Sequence, residues 1–279
     1  MKKPIIIAVC SEKGGVGKTT TSVNLSSGLS AHGKRVLAID LDQQQNLSQT
    51  FGYDNDGKPT ISDLIYNTVA GNQMNCSLTI RHSDNNVDYV PSSNILTAIT
   101  GVMGNDSDYN YVLKRALNNE AYSHYDYIIL DCRTLLDLLI SNAMNAADYV
   151  IIPVESGFYS YIGLEKMIDK VNSINVSTNK KLRVLGIVLN KCQRTSISKS
   201  VASSIKSEYE NLAFKTHIPF CPSQAENAAV NQSSLDVTKS LGNAFSALTD
   251  EIIERIENNN GEFGFTQNKE RTSDEGRAN

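Results

Sequence analysis

A glycine-rich loop near the start of the chain has the residue types and spacing of a phosphate-binding site. Residues 13–20 read Lys-Gly-Gly-Val-Gly-Lys-Thr-Thr, between an apolar run at 5–9 that predicts a buried strand and a segment at 23–29 that predicts a helix. In this order the glycines let backbone N–H groups converge on phosphate oxygens, and the helix N-terminus adds partial positive charge. We therefore predict a phosphate-binding loop made of Gly14, Gly15, Val16, Gly17, Lys18, Thr19 and Thr20.

Two side chains of this loop are expected to act directly on a bound polyphosphate. Lys18 would reach the β- and γ-phosphates, and the hydroxyl of Thr19 would bind Mg²⁺. The loop also carries a second lysine, Lys13, just before the glycines, and Glu12 stands where the common phosphate-loop pattern has its first glycine. A flexible turn is the alternative, but a turn would not require a lysine and a threonine at these positions between a strand and a helix.

Three aspartates follow predicted strands and could hold a metal ion or position a water molecule. Asp40 and Asp42 come at the end of the second predicted strand, at 35–40, and Asp131 ends the apolar strand predicted at 127–131. Transfer of a phosphoryl group to water depends on a metal ion, charge neutralisation and a positioned water. We predict that Asp131 holds the Mg²⁺ shell. For Asp40 and Asp42 a helix cap is the alternative role.

The order of apolar and helical segments predicts the fold class. Strand-like runs alternate with helical periodicity almost to the end of the chain, which favours an α/β fold with a mostly parallel twisted sheet and helices on both faces. Gly33 is expected to close the first helix. Further strands are predicted at 87–90, 149–154, 182–189 and 214–218, and a last helix has one apolar face of Leu241, Phe245, Leu248, Ile252 and Ile256. One domain is predicted over 1–258, and the polar segment 259–279 is predicted to be disordered.

Composition limits the class of protein. Of the 279 residues 40% are hydrophobic and 20% charged, and no run approaches the about 18 apolar residues of a membrane-spanning helix, so we expect a cytoplasmic globular protein. The five cysteines form no C-x-x-C pair, which favours reduced thiols. The net charge of −4 argues against a strongly basic nucleic-acid binder, yet residues 171–215 hold eight basic and two acidic side chains, net +6. That segment is either an anion-binding face or an ordinary solvated surface.

Residues 13–20 resemble the deviant Walker A motif of the ParA/MinD group of P-loop ATPases. In that family the extra lysine reaches across a dimer interface, so the resemblance implies that Lys13 acts on the nucleotide of a partner subunit. Residues 39–48 are similar to the family's D-x-D-P-Q-G-N segment. This second resemblance implies that Asp42 is catalytic and positions the attacking water, and that Asp40 supports the metal shell.

Several positions depart from the family pattern near the predicted site. Gln43 stands in place of the usual proline and Gln45 in place of the glycine, which predicts a loop that is less rigid or differently turned. After Asp131 the family commonly has D-T-P-P or D-C-x-P, whereas this chain has Arg133 and Thr134. Because this segment senses the γ-phosphate in relatives, the resemblance implies altered coupling between hydrolysis and dimer state.

The resemblance continues over most of the chain, including residues 90–95, 125–131 and 142–154. It implies that Asn190, at the end of a predicted strand, hydrogen-bonds the adenine base, as an N-R or N-K pair does in relatives. It also implies that Pro219, in an Ile-Pro loop, covers the ring. Either residue could instead be a strand terminus followed by a turn.

The family's activity follows as an expectation. The resemblance implies a partition ATPase for plasmids or chromosomes that hydrolyses ATP slowly with Mg²⁺ as cofactor, forms a homodimer in ATP, binds non-specific DNA and is stimulated by a ParB-like partner. The glycine loop lies close to the first residue, which favours the compact, Soj-like subclass and a nucleoid-associated location in the cytoplasm. The candidate contacts to DNA phosphates are Lys180, Lys181, Lys199, Lys206 and Lys215.

Proteins of other classes use a similar loop. A MinD-like membrane switch is expected to end in a basic amphipathic helix, but residues 250–279 carry eight acidic and four basic side chains, so we predict no membrane contact. An iron–sulfur carrier needs paired metal-ligand cysteines, and a bacterial tyrosine kinase needs a terminal tyrosine cluster, whereas no tyrosine follows Tyr209. A nucleotide-bound scaffold or regulator of another cargo with low turnover is the alternative that Gln43, Gln45 and Arg133 leave open.

Overall fold

Eight strands within the described residues pair into one sheet. The computed structural model describes residues 3–157, 160–221 and 239–258. The strands are β1 (Ile5–Val9), β2 (Val36–Leu41), β3 (Arg81–His82), β4 (Asp88–Val90), β5 (Tyr127–Cys132), β6 (Tyr149–Glu155), β7 (Arg183–Cys192) and β8 (Ala213–Pro219). Their order across the sheet is β3-β4-β2-β5-β1-β6-β7-β8. All neighbouring pairs are parallel except β3 with β4. The predicted α/β fold with a mostly parallel sheet is confirmed.

Helices cover both faces of this sheet. In the part of the chain that the structure describes, they are α1 (Lys18–Ala31), α2 (Asn46–Thr50), α3 (Ile61–Ala70), α4 (Leu96–Met103), α5 (Val112–Leu117), α6 (Leu138–Ala146), α7 (Ser160–Ser177), α8 (Ser196–Glu208) and α9 (Lys239–Asn258). Short 3-10 turns lie at Cys76–Thr79, Tyr109–Tyr111 and Glu120–Tyr122. One buried apolar cluster contains side chains of α3 to α8, and a second contains side chains of α1, α2 and α9. The sheet therefore lies between two helical layers.

The central strands end in carboxylates that lie side by side. Strands β2 and β5 are buried along their whole length, as unbroken apolar strands of a doubly covered sheet are. Their register places Asp40 of β2 opposite Asp131 of β5. Val9 at the end of β1 pairs with the same Asp131 on the other side. The glycine loop that follows β1 and the two carboxylates therefore meet at the carboxyl edge of the sheet.

The last described helix packs closely on the first. The predicted apolar face of α9 is buried at Leu241, Phe245, Leu248 and Ile252, with Ile256 partly buried beside them. Each such buried side chain contributes about 2 kcal/mol to stability. Between the two helices Gly28 permits a short approach, because a Cβ there would lie 2.4 Å from Oγ1 of Thr249. A glycine in the middle of α1 is therefore explained by this packing rather than by the helix itself.

The structure differs from the sequence predictions mainly in short elements and in strand ends. The two-residue β3 and the five-residue α2 have too few residues to show a hydrophobic period, and neither was predicted. Strand β7 extends to Cys192, beyond its predicted end. Gly33, with φ of 72°, closes the first helix as predicted. Among the described residues no helix is long and apolar enough to span a bilayer, and the segment 259–279 lies outside the described residues.

Candidate nucleotide-binding site

The glycine loop joins β1 to α1 and requires glycine at two positions. Gly15 and Gly17 have φ values of 74° and 91°, in the left-handed region. A Cβ on Gly17 would also lie 2.2 Å from Nδ2 of Asn190. Helix α1 begins at Lys18, and the N–H of Thr21 donates to the carbonyl of Gly17 over 2.9 Å. The N-terminus of α1 therefore begins at the loop, as a phosphate cradle requires.

Lys18 is held at the centre of this loop as a buried cation. Its side-chain Nζ donates to the carbonyl of Lys13 over 3.3 Å and to Oγ1 of Thr134 over 3.2 Å. Burial lowers the pKa of Lys18, and the nearby Asp131 and Asp42 partly oppose this shift. Among the described residues no carboxylate lies within ion-pair distance of Nζ. A phosphate group would supply the negative charge that these neutral oxygen partners do not.

Asp131 presents one carboxylate oxygen without a partner at the same edge. Its side chain is 1% exposed, and Oδ1 accepts a hydrogen bond of 2.8 Å from Oγ of Ser22. The Thr19 hydroxyl lies near enough to help lower the pKa of Asp131, but no group of the described chain completes a hydrogen bond to Oδ2. Burial raises the pKa of Asp131 to about 7, and the neighbouring Asp40 adds to this shift.

The donor set at Asp131 fits a hard divalent cation. Mg²⁺ prefers oxygen ligands and usually combines one or two protein oxygens with water and phosphate oxygens. The orphaned Oδ2 of Asp131 and the hydroxyl of Thr19 are two such oxygens at the carboxyl edge. A bound cation would also favour the ionised form of a carboxyl whose pKa burial has raised. Of the residues predicted to hold Mg²⁺, Thr19 and Asp131 therefore lie close together. The carboxylate of Asp40 is instead hydrogen-bonded within its own loop and to α2.

Asp40 is fully buried and caps a helix. Its Oδ1 accepts from the N–H of Asp42 over 3.0 Å, and its Oδ2 accepts from the N–H and hydroxyl of Ser48 over 2.9 and 2.6 Å. Ser48 is the third residue of α2, so Asp40 takes the cap role that was its alternative. Burial raises its pKa to about 6, against these hydrogen bonds. Its support of the metal shell stays a prediction, based on its place beside Asp131.

The loop that carries Asp42 is tightly turned. Oδ1 of Asp42 accepts from the N–H of Gln44 over 3.0 Å, and Gln45 follows with φ of 58°. Gln45 therefore adopts the left-handed conformation at the position where the family has glycine. Burial lowers the pKa values of both Lys18 and Arg133, and the charge of Asp42 partly opposes both shifts, so Asp42 lies near the phosphate loop and the segment after β5. Its role in positioning water stays a prediction.

Lys13 lies beside a carboxylate of its own chain. Its Nζ is 3.1 Å from Oε2 of Glu155 at the end of β6, and both side chains are partly exposed. The neighbouring Glu12 pairs in the same way with Lys166 of α7, over 3.2 Å. Contact with the nucleotide of a partner subunit would require Lys13 to leave Glu155. The predicted role across a dimer is therefore neither supported nor contradicted within one chain.

Two side chains at the end of β7 hydrogen-bond to the phosphate loop. Asn190 is fully buried, its Nδ2 donates to the carbonyl of Val16 over 2.9 Å, and its Oδ1 accepts from the N–H of Lys191. Nζ of Lys191 donates to the carbonyl of Gly15 over 2.6 Å. The amide of Asn190 is thus used within the chain, and a contact to the adenine base would require these bonds to break. The base contact stays a prediction that this arrangement does not favour.

Pro219 ends β8 next to the end of β7. It pairs in register with Cys192, and the N–H of Phe220 donates to the carbonyl of Cys192 over 2.9 Å. Phe220 is about half exposed. The predicted cover over an adenine ring is compatible with this place, but the loop continues at residue 222, outside the described residues.

Sequence reasoning missed three groups that contact the predicted site. Ser22 holds Asp131, Thr134 accepts from Lys18, and Lys191 binds the loop carbonyl of Gly15. The spacing from Lys18 to Ser22 is four residues, one helical turn, which is the only signal that could have indicated the first contact. The other two depend on which strand ends meet, and this information is absent from a single sequence.

The lysines proposed for DNA do not form one group. Lys206 of α8 donates to the carbonyl of Lys215 on the exposed edge strand β8, over 3.4 Å. Lys199 lies two turns earlier on α8. Lys181 instead lines a cavity of about 750 Å³ at the amino ends of β1 and β6, with Lys3 and other residues. The α8 and β8 lysines are the set that the structure places close together.

Comparison with known proteins agrees with this site. A family model described as an AAA domain matches residues 4–184. The chain is 30% identical over 254 residues to the chromosome partitioning protein ParA of Caulobacter vibrioides, covering 90% of this chain and 94% of that protein.

Two solved structures share the fold. A plasmid partition protein of Borrelia burgdorferi bound to AMPPNP superposes with a TM-score of 0.72 at 25% identity, over 92% of this chain and 99% of that one. A cobyrinic acid a,c-diamide synthase of Mycobacterium smegmatis with a bound ATP analogue and magnesium gives a TM-score of 0.76 at 25% identity, over 91% and 96%. Because one fold carries differently named proteins, the closer sequence similarity to ParA decides the family. The chain therefore belongs to the ParA/MinD group of P-loop ATPases.

Proposed function

We propose that this protein is an ATP-hydrolysing switch for DNA partition. The observation that carries the proposal is the buried Lys18 and Asp131 beside the partly buried Thr19, with one carboxylate oxygen of Asp131 unpartnered within the described residues, in a chain that is 30% identical to a chromosome partitioning ParA. A buried cation beside an orphaned carboxylate oxygen suits a nucleotide polyphosphate with its metal ion.

The residues would divide the work of hydrolysis among charge neutralisation, metal holding and water positioning. Lys18 would neutralise the β- and γ-phosphates, and the N–H groups of the loop would fix their orientation. Thr19 and Asp131 would hold Mg²⁺, which when bound neutralises charge on the phosphate oxygens. Asp42, whose carboxylate lies near Lys18, would accept a hydrogen bond from the attacking water and so orient it toward the γ-phosphate.

The proposal includes an ATP-dependent homodimer on DNA in the cytoplasm, associated with the nucleoid. Lys13 is proposed to contact the nucleotide of the partner subunit. Dimerisation would place two copies of the lysines on α8 and β8 on one assembly, and such lysines bind DNA phosphates without reading bases. A ParB-like centromere-binding protein is proposed as the partner that stimulates hydrolysis.

DNA binding by the purified full-length protein tests this function. We expect the ATP state to bind duplex of arbitrary sequence in a fluorescence anisotropy assay, with affinity that falls steeply as salt increases. Changing Lys199 and Lys206 to Glu should weaken binding equally for all sequences and leave ATP affinity intact. Lys58→Glu, at an exposed site next to Asp56, is the control for Lys199→Glu or Lys206→Glu made singly, each of which it matches in charge.

The same experiment separates two candidate functions. If the ATP state does not bind DNA at low salt, partition on a DNA surface is excluded. A scaffold or regulator with low turnover is the second candidate, which the departures at Gln43, Gln45 and Arg133 from the family motif favour. An ATP-bound dimer that shows no measurable hydrolysis would support that candidate instead.

A further inference from the structure

Two of the side chains that depart from the family motif are connected by hydrogen bonds. Oε1 of Gln43, in the loop after β2, accepts a hydrogen bond from Oγ1 of Thr97 on α4. The same Thr97 oxygen accepts from Nη1 of Arg133, after β5, over 3.1 Å. Gln43 and Arg133 are far apart in sequence; Gln43 stands where relatives usually have proline, and Arg133 lies in the segment where relatives have D-T-P-P or D-C-x-P. The hydroxyl of Thr97 therefore hydrogen-bonds to both Gln43 and Arg133.

Arg133 is fixed in place at its other end. Its Nη2 forms an ion pair with Asp137, whose Oδ1 also accepts from the N–H groups of Leu139 and Ile140 at the start of α6. The Arg133 side chain is 7% exposed, and no group of the described chain accepts from its Nε. Because burying a guanidinium is costly unless it is paired, the partners Thr97 and Asp137 define where it lies.

The segment that holds Arg133 also contacts the phosphate loop. Thr134, the next residue, accepts from Nζ of Lys18 over 3.2 Å. On the other side, Gln43 directly follows Asp42, and the charge of Asp42 raises the pKa of Arg133 against the effect of burial. The bonded series from Gln43 to Asp137 therefore lies between the residue proposed to position water and the lysine proposed to hold phosphate.

We propose that Thr97 and Arg133 are positioning residues that hold the Asp42 loop through Gln43, in a clamp made of side-chain hydrogen bonds. The proposal rests on the proposed ATPase function. A proline restricts φ by its covalent ring, whereas this clamp restricts the loop only while its side-chain bonds persist. The clamp is accordingly expected to affect the water-positioning step and to leave phosphate binding unchanged.

Thr97 offers the cleanest test, because it is exposed and lies outside the phosphate loop. Thr97→Val keeps the shape but removes the hydroxyl, and Thr97→Ser keeps the hydroxyl. We expect Thr97→Val to lower kcat for ATP hydrolysis about tenfold, in the range of coupling between contacting residues, with KM for ATP unchanged within about twofold. Thr97→Ser should keep wild-type kcat. Thr68→Val, which removes a helix hydroxyl bonded only to the Leu64 carbonyl, is the matched control.

A double-mutant cycle then tests whether the two ends act together. Gln43→Met removes the acceptor oxygen, and it should lower kcat in the wild-type background but not further in the Thr97→Val background. Equal kcat for Thr97→Val and wild type overturns the clamp while leaving the ATPase function intact. Additive losses, or a loss of thermal stability without a change in kcat, overturn it as well. A wild-type protein that binds but does not hydrolyse ATP overturns the clamp together with the ATPase function.

Discussion

At the scale of single residues, the site depends on charges that are buried before any ligand arrives. Within the part of the chain that the structure describes, Lys18 donates only to neutral oxygens, and Asp131 keeps one oxygen without a partner. Buried ionisable groups of this kind are often functional, because their burial is unfavourable without a charged ligand. These groups should therefore lower the stability of the ligand-free protein and raise its affinity for a charged ligand.

Removing the Lys18 cation is expected to abolish ATP binding. Charge-assisted hydrogen bonds to phosphate contribute about 1.5–3 kcal/mol each, so Lys18→Ala should weaken nucleotide affinity roughly 100-fold or more. Titration calorimetry with a non-hydrolysable ATP analogue measures this directly. Lys58→Ala, on the exposed surface, should bind like wild type. Unchanged affinity in Lys18→Ala would contradict the assignment of the whole loop.

The paired carboxyls predict a pH dependence of stability in metal-free protein. The folded-state pKa values of Asp40 and Asp131 are raised to about 6 and about 7, above those of the unfolded chain. The folded state therefore retains protons that the unfolded state has lost, and this contribution to stability declines as pH rises from about 4 to about 7. Asp131→Asn cannot titrate, so its melting temperature should exceed that of wild type by several degrees at pH 8.

Calorimetric melting in EDTA between pH 5 and 8 checks this difference. The gap between Asp131→Asn and wild type should grow with pH in that window. With nucleotide present at pH 8, added Mg²⁺ should stabilise wild type further and have no further effect on the variant, because only the carboxylate can bind the metal ion. A gap that stays constant across this window would mean that the carboxyl of Asp131 is ionised in the folded protein throughout.

Part of this residue-level picture could be predicted from sequence. Lys18, Thr19 and Asp131 each follow a strand or open a helix, and the carboxyl ends of parallel strands meet at one edge. The use of Asp40 as a cap could not be assigned, because an aspartate after a strand suits both roles equally. The bonds of Lys191 to the loop depend on its left-handed φ of 52°, which no sequence pattern indicates.

At the scale of elements, the sequence predicts long strands well and short connections poorly. The apolar runs of β1, β2 and β5 are buried on both faces, which removes any need for alternation and makes them easy to recognise. Helix α2 has five residues and depends on the Asp40 carboxylate eight residues before Ser48 for its N-terminal hydrogen bonds. An element stabilised by a tertiary contact has no local signal of its own.

The left-handed Gln45 at the start of α2 predicts a stabilising substitution. A non-glycine residue at positive φ costs about 1 kcal/mol, and glycine removes this cost although it gains some freedom in the unfolded state. Gln45→Gly is expected to raise the free energy of unfolding by roughly 0.5–1 kcal/mol. Urea denaturation measures it, and Gln44→Gly, one residue earlier, should destabilise. If both substitutions destabilise, the turn does not require left-handed geometry in solution.

At the scale of the whole molecule, the contact between Lys13 and Glu155 bears on assembly. If Lys13 is to reach a partner's nucleotide, it must first leave Glu155, to which it lies at 3.1 Å. Exposed ion pairs contribute about 0.2–1 kcal/mol each, and both subunits must break theirs, so the intrachain contacts oppose dimerisation by up to about thirtyfold in affinity. In the single chain, Glu155 therefore holds Lys13, the residue that is proposed to contact the partner's nucleotide in the dimer.

Glu155→Gln is expected to favour the ATP-bound dimer about two- to thirtyfold, in line with the loss of one exposed ion pair in each subunit. Light scattering over a range of protein concentrations in ATP gives the dimer dissociation constant. Glu12→Gln, which breaks the neighbouring pair with Lys166, is the matched control and should leave it unchanged. Lys13→Ala should remain monomeric in ATP at concentrations where wild type is dimeric. A Lys13→Ala protein that dimerises like wild type would remove the basis for this prediction.

The packing of α9 on α1 has a consequence for how the protein is made on the ribosome. Ring nitrogen Nε2 of His32 at the end of α1 meets Oδ1 of Asp250 across 218 residues of sequence, close to where Gly28 meets Thr249. During translation the face of α1 that packs on α9 has no covering helix until the residues around 252 have emerged, although the rest of α1 can already pack on β2 and β5. Contacts of such sequence separation form slowly. The helix that begins at the phosphate loop therefore completes its packing only after nearly all of the described chain has been synthesised.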